Sequence, residues 1–434
     1  MHTRNFPDIP LPRSRDEIAA IQSRQKIRAV EHARRAPFFR GKLDHLRLDR
    51  LDDPEEWRKI PILDKEMLRA LPPERFYSEF CIAARGEIAE YWRSGGMTGR
   101  PLFYPRTFED IRYSLVGFRR TYECIGCGAG ETAHLSLPLG IHPAGQQWAR
   151  AGQMAGIGIV WAGSGAAAPS LLQLELISML KPTIWMGMSS YALHLANLAE
   201  GKGIDLANGS VKTVMCTAEP LSDAKRQKIA RAWGAKVFDT FGMTEVMMMG
   251  AEPTAGEGFH IWSDFVFLEV LDPTTLEPVP EGAEGTLVVT PLFTNNATPF
   301  LRWNTGDIVR YREHGSSDGP FAVFPLVKHA HRTSGFFKIR GINISHSEFE
   351  DFMFSDRQVD DFKAELVSVD GVDRMRLSIE IARGADRGPL GAELRARIKN
   401  TFEISPEIVV LEAGTLAREF ESSVKAPRFV DARQ

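Results

Sequence analysis

Between Arg106 and Pro220 the chain alternates amphipathic helical stretches with short apolar runs, and nothing else in it restricts the fold as strongly. Residues 108–124 have helical spacing and 132–137 suit a strand. Then follow a helix over 171–180, a strand over 183–188, a helix over 191–200 and a strand over 211–216. Ser222 and Asp223 open a last helix that Gly234 ends. Strand–helix repeats of this size predict a mainly parallel sheet flanked by helices, an α/β fold. Upstream, 16–46 reads as helical, with Pro37-Phe38-Phe39 closing the first helix and beginning a second short one, and Asp64 reads as the N-cap of another.

Beyond Phe259 the pattern changes. Residues 266–271 and 286–290 read as strands around a turn-rich stretch, which makes a β-rich subdomain. A second change falls near Gly335: a helix over 347–354, strands over 362–369 and 375–381, a helix over 391–402 and a strand over 407–412. The expected division is a large domain over 1–333 and a small α+β domain over 334–434, since 434 residues exceed one core.

Charge narrows the function classes. Lys and Arg total 53 against 56 Asp and Glu, for a net charge of −3, so no nucleic-acid partner is expected. The polar residues 1–15 lack the apolar core of a signal peptide, and no long apolar run suggests a membrane span. Four cysteines are too few for a disulfide framework, and Cys124 and Cys127 read as structural. The expectation is a cytoplasmic protein.

Chemistry concentrates in five motifs. Ser94-Gly95-Gly96-Met97-Thr98-Gly99-Arg100-Pro101 sets three glycines and two hydroxyls beside one cation. Such a loop lets backbone N–H groups and hydroxyls crowd an anion, though no Gly-Lys-Ser/Thr follows as in a Walker loop. Thr217-Ala218-Glu219-Pro220-Leu221 and Asp239-Thr240-Phe241-Gly242-Met243-Thr244-Glu245 each lie at a strand end. Leu301-Arg302-Trp303-Asn304-Thr305-Gly306-Asp307 and Lys338-Ile339-Arg340-Gly341-Ile342-Asn343-Ile344 complete the series. Loops at the carboxyl ends of parallel strands are where α/β proteins bind ligands.

In this order the motifs resemble those of the adenylate-forming ligases, most closely the phenylacetate–CoA ligase branch. The likeness extends over nearly the whole chain and includes Lys181-Pro182-Thr183, Ser190-Tyr191-Ala192-Leu193 and Gly258-Phe259-His260-Ile261-Trp262. It implies ATP, Mg2+ and CoA, and an aryl carboxylic acid as substrate. By resemblance Ser94, Gly95, Gly96, Thr98, Gly99 and Arg100 hold the β- and γ-phosphates. Thr244 contacts phosphate and Glu245 holds Mg2+. Ala218, Glu219, Pro220 and Asp239 help bind the nucleotide, Phe241 lies along the adenine, Asp307 grips the ribose hydroxyls, and Arg332 assists near the hinge. Lys425 swings in to bridge the substrate carboxylate and the α-phosphate. The acyl pocket is expected at Gly140, Ile141, His142, Met188, Gly242 and Met243, whose apolar content suits a flat acid.

The chain also departs from its relatives. Arg100 replaces a lysine, Phe241 a commoner tyrosine, and Val424 the glycine before the catalytic lysine. The cysteine cluster of many relatives is missing from 324–331, so no structural zinc is expected. Ser334-Gly335 stands at the hinge, and the small domain is expected to turn there. Three hypotheses follow: an acid–CoA ligase, an aryl-adenylating enzyme that passes the acyl group to an amine, hydroxyl or carrier protein, and a nucleotide-binding protein without catalysis. Retention of Lys425 and Glu245 speaks against the last. A homodimer is left open.

Overall fold

A computed structural model describes residues 9–93, 102–315, 318–332, 335–339, 342–369, 372–382, 387–422 and 426–433. The chain divides into two compact units. One gathers Met1–Glu131, Leu139–Ile159 and Phe238–Ala330; the other gathers Thr132–Pro138, Val160–Val237 and His331–Gln434.

The first unit is built on strands in the order Val266–Leu271, Glu284–Pro291, Trp303–Arg312, Leu326–Arg332, Phe259–Ile261, Met247–Ala251 and Lys236–Met243. Antiparallel pairing places Val266 opposite Pro291 and Leu326 opposite His260, as the turn-rich sequence leads one to expect. Helix Arg15–Arg35 starts at Ser14, whose hydroxyl accepts from the Glu17 N–H, and buries Ile18, Ala29, Val30 and Ala33. It ends just before Pro37, which closes it as expected. Ala36 precedes proline and is forced to extended backbone at φ −79°, and Pro37–Phe39 forms a 3₁₀ turn.

Helix Phe108–Ile125 carries a reciprocal cap between Thr107 and Asp110. Asp110 also accepts from the backbone of Asn296 and Ala297, so the cap ties this helix to the β-rich segment. A further helix, Ala144–Met154, packs its buried Trp148 edge-on against Phe118 and Tyr122 at 4.8 and 5.3 Å.

The second unit contains the parallel strands Thr132–Ser136, Ile184–Gly187 and Thr213–Cys216, with Ala133 opposite Ile184 and Ile184 opposite Thr213. Helices Ser170–Leu180, Ser189–Lys202 and Asp223–Trp233 connect and flank them. The architecture is therefore the α/β one expected from the alternation. Toward the C-terminus a four-stranded sheet runs in the order Glu407–Leu411, Val372–Ile381, Val359–Val369, Phe429–Asp431. Its central pair is antiparallel and its flanks parallel. Helix His346–Ser355 lays Phe349 against Phe362 and Phe402. A buried pair, Lys225 with Glu350 at 3.0 Å, links helix Asp223–Trp233 to helix His346–Ser355. Among the described residues no helix is long and apolar enough to cross a membrane.

Candidate nucleotide site

In the first unit a bulge projects Asp307. Thr286 pairs with Ile308 and Val288 with Asn304, so three residues of one strand oppose a single Leu287 on the other. Gly306 accommodates the distortion at φ +74°, where a side chain would be strained. The Thr305 hydroxyl donates to the Leu287 carbonyl at 2.9 Å and accepts from the Asp307 N–H at 3.0 Å. The buried Asp307 carboxylate thus stands on a fixed backbone. His329 Nε2 lies 3.3 Å from its Oδ1 and donates to it, because an ionised carboxylate only accepts.

Phe241 converges on the same place. Its ring is 6.2 Å from the His329 ring and stacks on Phe259 at 5.2 Å. Two of the anticipated nucleotide residues, Phe241 and Asp307, are therefore joined by one histidine that the motifs do not contain. Asp239 is buried nearby in sequence; its N–H donates to Glu252 and its carboxylate accepts from the Thr240 N–H at 2.8 Å.

Thr244 and Glu245 follow strand Lys236–Met243, where the chain reverses into Met247–Ala251. A Cβ on Gly242 would come within 2.7 Å of the Met247 carbonyl oxygen, so the reversal itself demands glycine there. Arg106, fully buried, donates to the Thr244 and Glu245 carbonyls at 2.6 and 2.9 Å. The Tyr104 hydroxyl donates to Glu245 Oε1 at 3.1 Å, and the Lys65 ammonium lies 3.9 Å from the same oxygen. Burial, reinforced by Glu245, holds the Tyr104 phenol well above its ordinary pKa, so it stays a donor. Asp64 caps Lys65–Arg69 as expected, accepting from the Met67 N–H, and so carries Lys65 to this carboxylate.

Gly140 and Ile141 are exposed and His142 is half-buried. The Arg93 N–H, immediately before the glycine loop, donates to the Ile141 carbonyl at 3.2 Å. In the second unit Ala218 is exposed and holds φ +67°, a strained value for a residue with a Cβ. The adjacent Glu219 explains how that geometry persists. Its carboxylate accepts from the Ser190 N–H at 3.0 Å and from the Ser189 and Ser190 hydroxyls at 3.1 and 2.7 Å. It thereby caps helix Ser189–Lys202, where an anion is favoured. Met188 is buried as the N-cap residue of that helix. Ser94, Gly95, Gly96, Thr98, Gly99, Arg100 and Lys425 lie outside the described residues, as does the side chain of Arg332.

Sequence reasoning missed Lys65, Tyr104, Arg106 and His329. Each reaches the site from a distant segment, and no local pattern announces it. The Cys124-Ile-Gly-Cys127 pair carries no chemistry of this kind: burial pushes the Cys124 thiol up to about 12, away from the reactive thiolate.

The AMP-binding enzyme family matches residues 84–291. A phenylacetate-coenzyme A ligase of Aromatoleum evansii is 28% identical over 434 residues, covering 97% of this chain and 96% of its own length. One from Thermus thermophilus is 28% identical, with 85% and 82% covered. The chain thus carries an AMP-binding enzyme domain and is similar over most of its length to phenylacetate-coenzyme A ligases. In fold, the chain superposes on a 2-hydroxyisobutyryl-CoA ligase in complex with 2-HIB-AMP in the postadenylation state. The TM-score is 0.84 at 22% identity, over 98% of this chain and 94% of that one.

Proposed function

We propose that this ligase adenylates an aromatic or arylacetic carboxylic acid with ATP, releases pyrophosphate, and passes the acyl group to CoA. ATP-dependent activation of an acid and its transfer to CoA is the chemistry of the family. One observation carries the choice of an aryl acid: the likeness to phenylacetate-coenzyme A ligase runs along 97% of the chain.

In the first half-reaction a carboxylate oxygen bonds to the α-phosphorus and the bond to the pyrophosphate oxygen breaks. In the second, the CoA sulfur bonds to the acyl carbon and AMP leaves. Joining two anions requires positive charge and donors in place beforehand. Lys425, Arg100 with its glycine loop, and Thr244 are proposed for that task. Ala218, Glu219, Pro220, Asp239, Phe241, Asp307 and Arg332 are proposed to hold the nucleoside. Gly140, Ile141, His142, Met188, Gly242 and Met243 are proposed to hold the acid.

Glu245 suits Mg2+: its carboxylate offers hard oxygens, and this ion typically takes one or two protein carboxylates alongside phosphate oxygens. When bound, the ion would neutralise phosphate charge. Tyr104 and Arg106 meanwhile fix the carboxylate and its backbone.

The test is acid-dependent ATP–pyrophosphate exchange across a panel of aryl and aliphatic acids, followed by product analysis with CoA, amines and carrier protein. Exchange that prefers aryl acids, with thioester as the product, is expected. Exchange confined to aliphatic acids would reject the substrate class, and amide or ester as the sole product would reject CoA. The segment 334–434 is further proposed to turn at Ser334-Gly335 between half-reactions. Gly335→Pro should then spare exchange while suppressing thioester formation; equal loss of both would count against the hinge.

A further inference from the structure

We infer that His329 is a positioning residue for the ribose of ATP, acting through the Asp307 carboxylate. The inference rests on the reading of Asp307 as the group that grips the ribose diol, and adds a residue that the motifs do not include.

A carboxylate turns easily about χ2, whose torsional profile is broad and two-fold. An aspartate meant to accept from two neighbouring hydroxyls must have its plane fixed beforehand, or ordering it on binding costs affinity. The backbone of Asp307 is already held by Thr305. The carboxylate plane is a separate degree of freedom, and the His329 donor at 3.3 Å restrains it through Oδ1. Two oxygens have roughly four lone-pair sites, so the bond to histidine does not by itself saturate them.

The histidine is itself held on rigid ground. Strand Leu326–Arg332 lies beside Trp303–Arg312 in the sheet, which brings His329 next to Asp307. On its other side the strand pairs with Phe259–Ile261, Val327 opposite Phe259. Val327 and His329 share one face of the strand, and Val327 is fully buried. The imidazole also meets the Phe241 ring at 61°, and Phe241 in turn rests on Phe259. Its side chain is 19% exposed, while that of Asp307 is 5% exposed. The ring thus packs on its apolar side and presents Nε2 to the acid. A residue placed only for packing would not need a donor at that atom, and one placed only for charge would not need the aromatic contact.

The experiment measures acid-dependent pyrophosphate exchange with ATP and with 2′,3′-dideoxy-ATP, which lacks the diol. His329→Phe keeps an aromatic ring against Phe241 and deletes the donor; His329→Ala deletes both. With ATP either variant should raise KM about tenfold with kcat within about twofold, the value of one charge-assisted hydrogen bond. With the dideoxy nucleotide the same variants should match the unmodified enzyme within about twofold, because the diol that Asp307 serves is gone. His329→Gln or His329→Asn, which retain an N–H donor, should recover much of the loss. Equal losses with both nucleotides would mean a structural role and overturn the proposal, as would an unchanged KM for ATP. If the unmodified enzyme fails to distinguish the two nucleotides, the ribose role of Asp307 falls, and this inference with it. Absence of any exchange in the unmodified enzyme would instead reject the ligase reading from which both descend. Should His329→Ala not fold, the Phe and Gln pair alone decides the matter.

Discussion

Arg106 shows how little of a site's support its own motif reveals. Its guanidinium, fully buried, donates to the Thr294 carbonyl, the Thr298 hydroxyl and the carbonyls of Thr244 and Glu245. Burial depresses its pKa, yet these acceptors and the nearby Asp110 and Glu245 charges offset that cost. Arg106→Met would leave the acceptors buried without partners, a loss of about 3 kcal/mol or more. Arg106→Lys should fare little better, because one ammonium cannot replace a planar fork. Urea denaturation checks both; a midpoint unchanged in Arg106→Met would mean that water or rearranged side chains replace the donor. Asp307 and Glu245 could be singled out as candidates because their neighbours in sequence, Thr305-Gly306 and Gly242-Met243-Thr244, form motifs. Arg106, Tyr104 and His329 could not, since their meaning comes from partners more than a hundred residues away or on another strand.

Among the elements, those with strong period or caps were readable and those without were not. Helix Phe108–Ile125 and helix Asp223–Trp233 carry caps at Thr107 and Ser222, and their apolar spacing is regular. Helix Ala144–Met154 is rich in Ala, Gln and Gly and has no side-chain cap, so only its packing through Trp148 shows why it forms. The short helix Arg418–Ser422 is another element visible only in three dimensions. Phe420 stacks on His194 at 5.2 Å and 16°, and Glu421 accepts from the Ser170 N–H at 3.2 Å. A Cβ on Gly165 would meet the Phe420 carbonyl oxygen at 2.5 Å. A Cβ against a backbone oxygen cannot be accommodated cheaply, so Gly165→Ala should dislodge this helix. The chain runs from it directly to Lys425, proposed for adenylation. Pyrophosphate exchange in Gly165→Ala should therefore fall about tenfold or more, the effect expected when a catalytic group is misplaced by an ångström or so. Exchange at the unmodified rate would show that the contact does not position the lysine.

At the scale of the whole molecule, acid sensitivity follows from where the histidines are placed. His134 is fully buried in strand Thr132–Ser136 and its Nε2 donates to Gln173 at 3.1 Å. His194 sits 3.1 Å from the Ser170 hydroxyl, 3.9 Å from a Glu421 oxygen and against Phe420. Burial drives both imidazoles down to about 4, from an ordinary value of about 6.5. In that window the unfolded chain binds more protons than the folded one, so stability rises with pH. It is complete above about 6.5 and is lost as pH falls toward 4, by about 3 kcal/mol for each histidine. Acid carboxylates also titrate near the bottom of this window, so a comparison within one background isolates the effect. The stability difference between the unmodified chain and His194→Gln should shrink by about 3 kcal/mol from pH 7 to pH 4, because glutamine has no proton to gain. Denaturant midpoints measured across that range supply the number. A difference constant with pH would mean that His194 is protonated in the fold, its charge carried by Glu421 despite the burial.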